Sequence, residues 1–375
     1  MPVITPRLRR AAPRRGASGF APKSAVRDRL SDLGAFGANP GNLVGRYYVP
    51  EGLEPGAPLV VVLHGCTQNA AVYDHGSGWS RLADRHGFAL LFPEQQRANN
   101  AMLCFNWFES GDVRRGGGEA ASIAAMVAKM RSDHGVDPDR ISVTGLSAGG
   151  AMAAAMLAAY PDLFAAGAII AGVAYGCATS VAQAFDCMGG RAEADPRALG
   201  DKVRRASPHN GPWPRVQLWQ GGADRTVVPG NADAIAAQWA DVHGLDPARP
   251  DRDDKAPGHR RRVWTGAGGA ALVERYDIAG MAHGVPLDPG TGDGRSGEAG
   301  AHMLDVGLSS TDRIAEFFGI AAGDGARGEE PRAEAESVPP RLREGVRERA
   351  QEEGEAAQGI QRVIEDALKA AGLMR

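Results

Sequence analysis

The chain has 375 residues, 43% hydrophobic and 23% charged, with 51 Gly, 4 Cys and a net charge of -3. That apolar share excludes wholesale disorder, and the near-neutral balance gives no reason to expect a nucleic-acid partner. No uncharged apolar run reaches the ~18 residues of a membrane span. Both ends are set apart by charge. Residues 1–30 hold eight Arg or Lys against one acid, Asp28, and the last 55 residues hold 21 charged side chains and no aromatic one.

Residues 1–38 read as a basic N-terminal extension of weak periodicity. RYYVP at 46–50 predicts a strand closed by Pro50, and LVVVLHG at 59–65 is a continuous apolar run suited to a sheet covered on both faces. GWSRLADRHG at 78–87 spaces Trp79, Leu82 and Ala83 helically and stops at Gly87; FALLFPE at 88–94 is a second buried strand. GGGEAASIAAMVAKMRSDHG predicts a long helix with Ile123, Met126, Val127 and Met130 on one face. DRISVTGLS at 139–147 reads as a strand entering a turn, followed by an Ala-rich helix ending at Pro161, and FAAGAIIAG as a further strand. RVQLWQG at 215–221 and NADAIAAQWADVHG repeat the strand–helix pattern. The polar stretch 243–261 reads as a surface loop, RRVWTG and ALVERYDI as an antiparallel pair near one edge, and SSTDRIAEFFGI at 309–320 as a closing helix capped near Ser310 or Thr311. This alternation predicts an α/β fold over 39–320, a mostly parallel sheet with helices on both faces. Residues 321–375 read as a charged, partly disordered tail, with one apolar stripe at 360–373 that predicts a short helix.

The most informative stretch is SVTGLSAGGAMAAAM at 142–156. A β-branched run enters Gly145-Leu146-Ser147-Ala148-Gly149 and an Ala-rich helix leaves it, which is the context of a nucleophile elbow. Small neighbours allow the sharp turn, and the helix that starts there points amides at a developing oxyanion. A serine nucleophile needs a base and an orienting acid, in the chain order Ser, Asp or Glu, His for a hydrolase sheet. Four His follow Ser147 before residue 300. His243 and His259 border the polar stretch, and His209 precedes a strand. His283, in GMAHGVP just past a strand, is the candidate base. Asp224 directly follows RVQLWQG in a Gly-rich turn and is preferred as the acid over Asp277, inside a strand pattern, and Asp288, beyond the His loop. The same Asp224 also suits an Asx turn. The oxyanion donors are expected at the Ala148 amide and, from the loop after LVVVLHG, at the Cys66 amide. His64, at a strand end, suits packing and loop fixing rather than catalysis.

HGCTQ, NWF, GLSAGG and the W-x-G-x-x-D-x-x-V turn at 219–227 occur together in one chain, with GMAHGVPLDP after them. In this combination the chain resembles the polyhydroxybutyrate depolymerase family of esterases, in the α/β-hydrolase superfamily, which also holds feruloyl and acetylxylan esterase-like members. The resemblance runs from about Asn39 to Ile320. It implies an α/β-hydrolase fold, with Ser147 as nucleophile, Asp224 as acid, His283 as base and Cys66 and Ala148 as oxyanion donors. It implies no cofactor and no metal, and a partner that is a small ester, an oligoester or an amorphous polyester, with hydrolysis of oligo- or poly-(3-hydroxybutyrate) first and feruloyl, acetylxylan or short-chain carboxylesters as the alternative.

The resemblance and the short second spacing also suggest disulfides Cys66–Cys104 and Cys177–Cys187, although four Cys permit three pairings. Such bridges suit an oxidising compartment, whereas the lack of an evident signal peptide points to the cytoplasm. The tail lacks the aromatic residues that a polymer-surface module displays, which shifts the expected substrate towards soluble oligomers or small esters. Gln68 and Asn69 are placed to fix the oxyanion loop. Gln68, Tyr73, Trp107, Tyr175 and Trp213 are the candidate pocket residues, with Phe108 beside Trp107.

Overall fold

The computed structural model describes residues 28–192, 195–290 and 297–321. All of them fall in the first of two compact units, Met1–Gly323. The charged tail and its expected helix at 360–373, and most of the basic extension, lie outside the described residues.

Ten strands build one sheet: β1 Ser31–Asp32, β2 Val44–Tyr48, β3 Leu59–Leu63, β4 Ala89–Glu94, β5 Ile141–Leu146, β6 Ala166–Ile170, β7 Arg215–Gly221, β8 Arg252–Ala256, β9 His259–Thr265 and β10 Ala271–Ile278. Their order is β1-β2-β4-β3-β5-β6-β7-β10-β9-β8. From β4 to β10 every pairing is parallel, and both edges are antiparallel. A short parallel pair, β11 Val285–Leu287 and β12 Met303–Asp305, stands apart. The helices are α1 Ala70–Ser77, α2 Trp79–His86, α3 Ser110–Val113, α4 Gly118–His134, α5 Ala148–Ala159, α6 Val181–Met188, α7 Pro196–Arg205, α8 Gly230–Val242 and α9 Ser310–Phe317.

The period of two along β3 explains the layers. Leu59, Val61 and Leu63 share one apolar cluster with residues of α4, α5, α7 and α8. Val60 and Val62 share the opposite cluster with residues of α1, α2 and α9. Each such side chain contributes roughly 1.5–3 kcal/mol on burial, so a strand buried on both faces must be apolar throughout. Helix α5 lies wholly inside, all of its residues buried, which accounts for its Ala-rich composition.

Three readings change. The polar stretch 243–261 contains β8, an edge strand whose five residues are all exposed. Its charges suit an edge that must not recruit a further strand, and they hide it from a search for apolar alternation. Residues 28–38, assigned above to the extension, include β1, which pairs with β2, and Leu30 and Leu33 are buried. The cap of α9 is Ser309, whose hydroxyl accepts from the Asp312 amide, rather than Ser310 or Thr311. The expected antiparallel pair is β9–β10, and β10 also joins β7 in parallel.

Candidate active site

Strand β5 delivers Ser147 to the carboxyl edge of the sheet, where the chain reverses into α5. The residue has φ 58° and ψ -117°, a conformation that costs a non-glycine residue about 1–3 kcal/mol. Backbone packing holds it there. The Ser147 amide donates to the Ile170 carbonyl at 2.9 Å, and its carbonyl accepts from Ala151 at 2.8 Å. A Cβ on Gly149 would fall 2.5 Å from the His64 carbonyl oxygen and closer still to that of Leu63, and one on Gly145 would strike Gly149. The small residues are therefore what lets β5, α5 and the end of β3 close around the serine.

Asp224 follows β7 and is 3% exposed. Its two oxygens divide the work. Oδ1 accepts from the amides of Thr226 and Val227, both at 2.9 Å, which is the Asx turn. Oδ2 meets His283 Nδ1 at 2.8 Å and also accepts from Gln220 Nε2 at 3.3 Å. A carboxylate offers only acceptors, so Nδ1 carries a proton in this bond, and in the neutral ring the lone pair is on Nε2. The two loops are stitched together: Gly222 donates to the Ile278 carbonyl at 2.8 Å and Ala223 to that of Met281 at 2.9 Å. Gly221 makes room, since a Cβ there would lie 2.6 Å from the Ala282 carbonyl oxygen.

Most of the other candidates are engaged elsewhere. Asp277 is tied to Arg262 at 2.8 Å and Arg275 at 2.6 Å. His209 and His243 bond the carbonyls of Pro212 and Pro214, and His259 lies in β9. Asp288 follows β11.

Cys66 stands in the loop after β3, bridged to Cys104, and a second bridge joins Cys177 to Cys187. The Gly65 amide donates to Gln68 Oε1 at 2.9 Å, and Thr67, at φ 64°, donates to the Met102 carbonyl at 2.7 Å. No turn or loop hydrogen bond among the described residues uses the backbone N–H of Cys66 or of Ala148. A buried polar chain underpins this loop. His64 Nδ1 donates to the Gly65 carbonyl at 2.8 Å, and its Nε2 accepts from the Gln95 amide at 3.1 Å. Gln95 Nε2 in turn donates to Glu119 at 2.5 Å, and the Asn106 amide donates to the same carboxyl at 2.9 Å. Burial pushes His64 down to about 4, against its bond to Gly65, so the ring is a neutral strut. Burial pushes Glu119 up to about 8, against its hydrogen bonds from Asn106 and Gln95. Nothing in the sequence marked Gln95 or Glu119, because the partners that define them are remote in the chain.

The candidate pocket residues separate. Tyr73 is fully enclosed in the core, so it offers no surface to a ligand, and Asn69 caps α1 by accepting from Val72. Gln68 is 6% exposed and serves the oxyanion loop. Trp107 is half-buried, edge-on to Phe108, in a small apolar cluster with Ala151 of α5, Met188 of α6 and Val227 of the acid loop. Tyr175 and Trp213 pack instead against the main core. Sequence reasoning passed over His302, whose Nδ1 meets the His283 carbonyl at 3.1 Å.

A parallel sheet flanked on both faces, with a strained serine between strand and helix and an Asp–His pair at the same edge, is the architecture of the α/β-hydrolase class. The comparisons narrow it. The family described as Esterase PHB depolymerase matches residues 44–262. Poly(3-hydroxyalkanoate) depolymerase C of Paucimonas lemoignei is 49% identical over 292 residues, 78% of this chain and 70% of that protein. An acetylxylan esterase of Coprinopsis cinerea is 35% identical over 69% of this chain and 70% of its own length. Among solved structures, an acetyl xylan esterase from Aspergillus awamori superposes with a TM-score of 0.67 at 27% identity, over 78% of this chain and 99% of that one. The chain belongs to the PHB depolymerase family of esterases and is a hydrolase.

Proposed function

We propose that this chain is a serine esterase that cleaves the ester bonds of poly- or oligo-(3-hydroxybutyrate) through an acyl-enzyme, with Ser147, Asp224 and His283 as its triad. The observation that carries the reading is the Asp224–His283 hydrogen bond at the sheet edge where the strained Ser147 emerges. The 49% identity to a poly(3-hydroxyalkanoate) depolymerase supplies the substrate class.

His283 Nε2 takes the Ser147 proton as Oγ attacks the ester carbonyl, and Asp224 stabilises the imidazolium that forms. The Cys66 and Ala148 amides stabilise the tetrahedral oxyanion. Collapse expels the alcohol end of the substrate, protonated by His283. Water, deprotonated by the same imidazole, then attacks the acyl carbonyl, and the hydroxy acid leaves as Ser147 regains its proton. Trp107, in the cluster that joins α5, α6 and the acid loop, is the aromatic residue best supported as a wall of the acyl site. A second reading, deacetylation of xylan, is favoured by the superposition on an acetyl xylan esterase.

The test is product release from 3-hydroxybutyrate oligomers and amorphous polymer beside acetylated xylan, methyl ferulate and p-nitrophenyl esters. Ser147→Ala is expected to lose on the order of 10⁴-fold or more of the rate while keeping its fold. Release of 3-hydroxybutyrate that disappears in Ser147→Ala supports the proposal. Turnover of acetylated xylan alone moves the enzyme to the second reading.

A further inference from the structure

His302 occupies a position where a histidine is costly. Gly300 and Met303 exchange two backbone hydrogen bonds, at 2.9 and 3.0 Å, closing a tight turn with His302 as its third residue at φ 59°. Glycine adopts that conformation freely and asparagine tolerates it, whereas histidine is strained there. The strain is matched by two contacts to the loop of the candidate base. The His302 carbonyl accepts from the Val285 amide at 2.8 Å, and His302 Nδ1 donates to the His283 carbonyl at 3.1 Å. Gly284, between the two bonded residues, admits this approach, since a Cβ there would fall 2.8 Å from the His302 carbonyl oxygen. The two imidazoles stand edge to face with centroids 5.9 Å apart.

We propose that His302 is a positioning residue for His283. It tethers the backbone of the base while Asp224 tethers the ring, so that Nε2 faces Ser147 without a search. The inference rests on the triad proposed above. His283 has one ring nitrogen held by Asp224, but its loop is otherwise bound through neighbouring amides, so the His302 ring is the side chain that fixes the carbonyl of the base itself. Half-burial lowers the pKa of His302, which keeps its ring neutral beside the imidazolium that forms at His283 during turnover.

Two substitutions separate positioning from structure. His302→Gly deletes the donor and relieves the turn, so the thermal midpoint should hold or rise. Its kcat per site, titrated with a fluorophosphonate, should fall about 10- to 100-fold with KM within about twofold, the cost of a misplaced base. His302→Asn puts an amide Nδ2 near the place of Nδ1 and accepts a positive φ, so kcat should return to within about threefold of wild type. The low-field proton resonance shared by His283 and Asp224 should broaden in His302→Gly and persist in His302→Asn. Full kcat in His302→Gly, or an Asn variant no better than Gly, overturns the proposal. If Ser147→Ala is inactive while His302→Gly is normal, this inference alone fails. If Ser147→Ala remains active, the triad fails first.

Discussion

The turn that carries Ser147 and the loop that carries His283 are held by different kinds of contact. Around Ser147 the contacts are backbone against backbone: Gly149 lies on the carbonyls of Leu63 and His64, Gly145 on Gly149, and the Ser147 amide on Ile170. The glycine contacts are steric, the amide bond joins main chain to main chain, and neither can be met by rotating a side chain. Around His283 the contacts are hydrogen bonds from two separate segments, through Asp224 and the adjacent Ala223 after β7 and through His302 before β12. The difference matches the chemistry. A nucleophile must stay in a strained turn that only dense packing enforces, whereas a base needs an orientation, which directional bonds define.

Five substitutions and one pH series probe this contrast, and Ser147→Ala has the largest expected effect. Next comes Asp224→Asn. It keeps the shape of the side chain but removes the charge that matches the imidazolium, so kcat should fall about 10³- to 10⁴-fold. A larger loss in Asp277→Asn than in Asp224→Asn would show the acid to be misassigned. Gly149→Ala and Gly221→Ala then set the two supports against each other. At Gly149 the added methyl meets immobile backbone, so the thermal midpoint should drop by the equivalent of about 1–3 kcal/mol, with activity falling alongside. At Gly221 the methyl pushes on the carbonyls of Met281 and Ala282, at the root of the base loop. There kcat and the fluorophosphonate labelling rate should fall by more than the midpoint suggests. Equal patterns in both variants would erase the distinction.

The smallest effect is on acid stability. His64 underlies the Ser147 side, buried and neutral, with its pKa pushed from 6.5 to about 4. Below pH 6.5 the unfolded chain binds a proton that the native ring refuses, so stability is lost as pH falls from 6.5 towards 4. Between pH 6.5 and 5 the wild type should lose about 1.5 kcal/mol more than His64→Gln, measured by denaturant unfolding. Parallel losses in the two proteins would rule out a neutral buried His64.

Much of the centre was legible because burial on both faces leaves a one-dimensional trace. β3 is a continuous apolar run and β4 is one up to Glu94, and the elbow between β5 and α5 is written in adjacent small residues. The edges were not legible. β8 is charged at nearly every position, β11 and β12 are three residues each, and α6 and α7 are short helices in a Gly- and Arg-containing stretch. Tyr73 looked like a pocket residue from its place after the oxyanion loop, but helix α1 turns it into the core.

The sequence by itself determined the parallel centre and the strained serine, because both depend on residues that are neighbours in the chain. It also put Asp224 ahead of Asp277 and Asp288 as the acid and placed the base in one loop. Only the tertiary structure decided that Asp277 belongs to Arg262 and Arg275 while Asp224 meets His283, a bond 59 residues apart in the chain. Only it showed that His64, Gln95 and Glu119 form one buried chain beneath Cys66, and that a histidine in a tight turn holds the carbonyl of the base. Hydrogen bonds between distant segments leave no periodicity in a sequence, since each partner is acceptable alone and acquires its meaning when the sheet brings the loops to one edge.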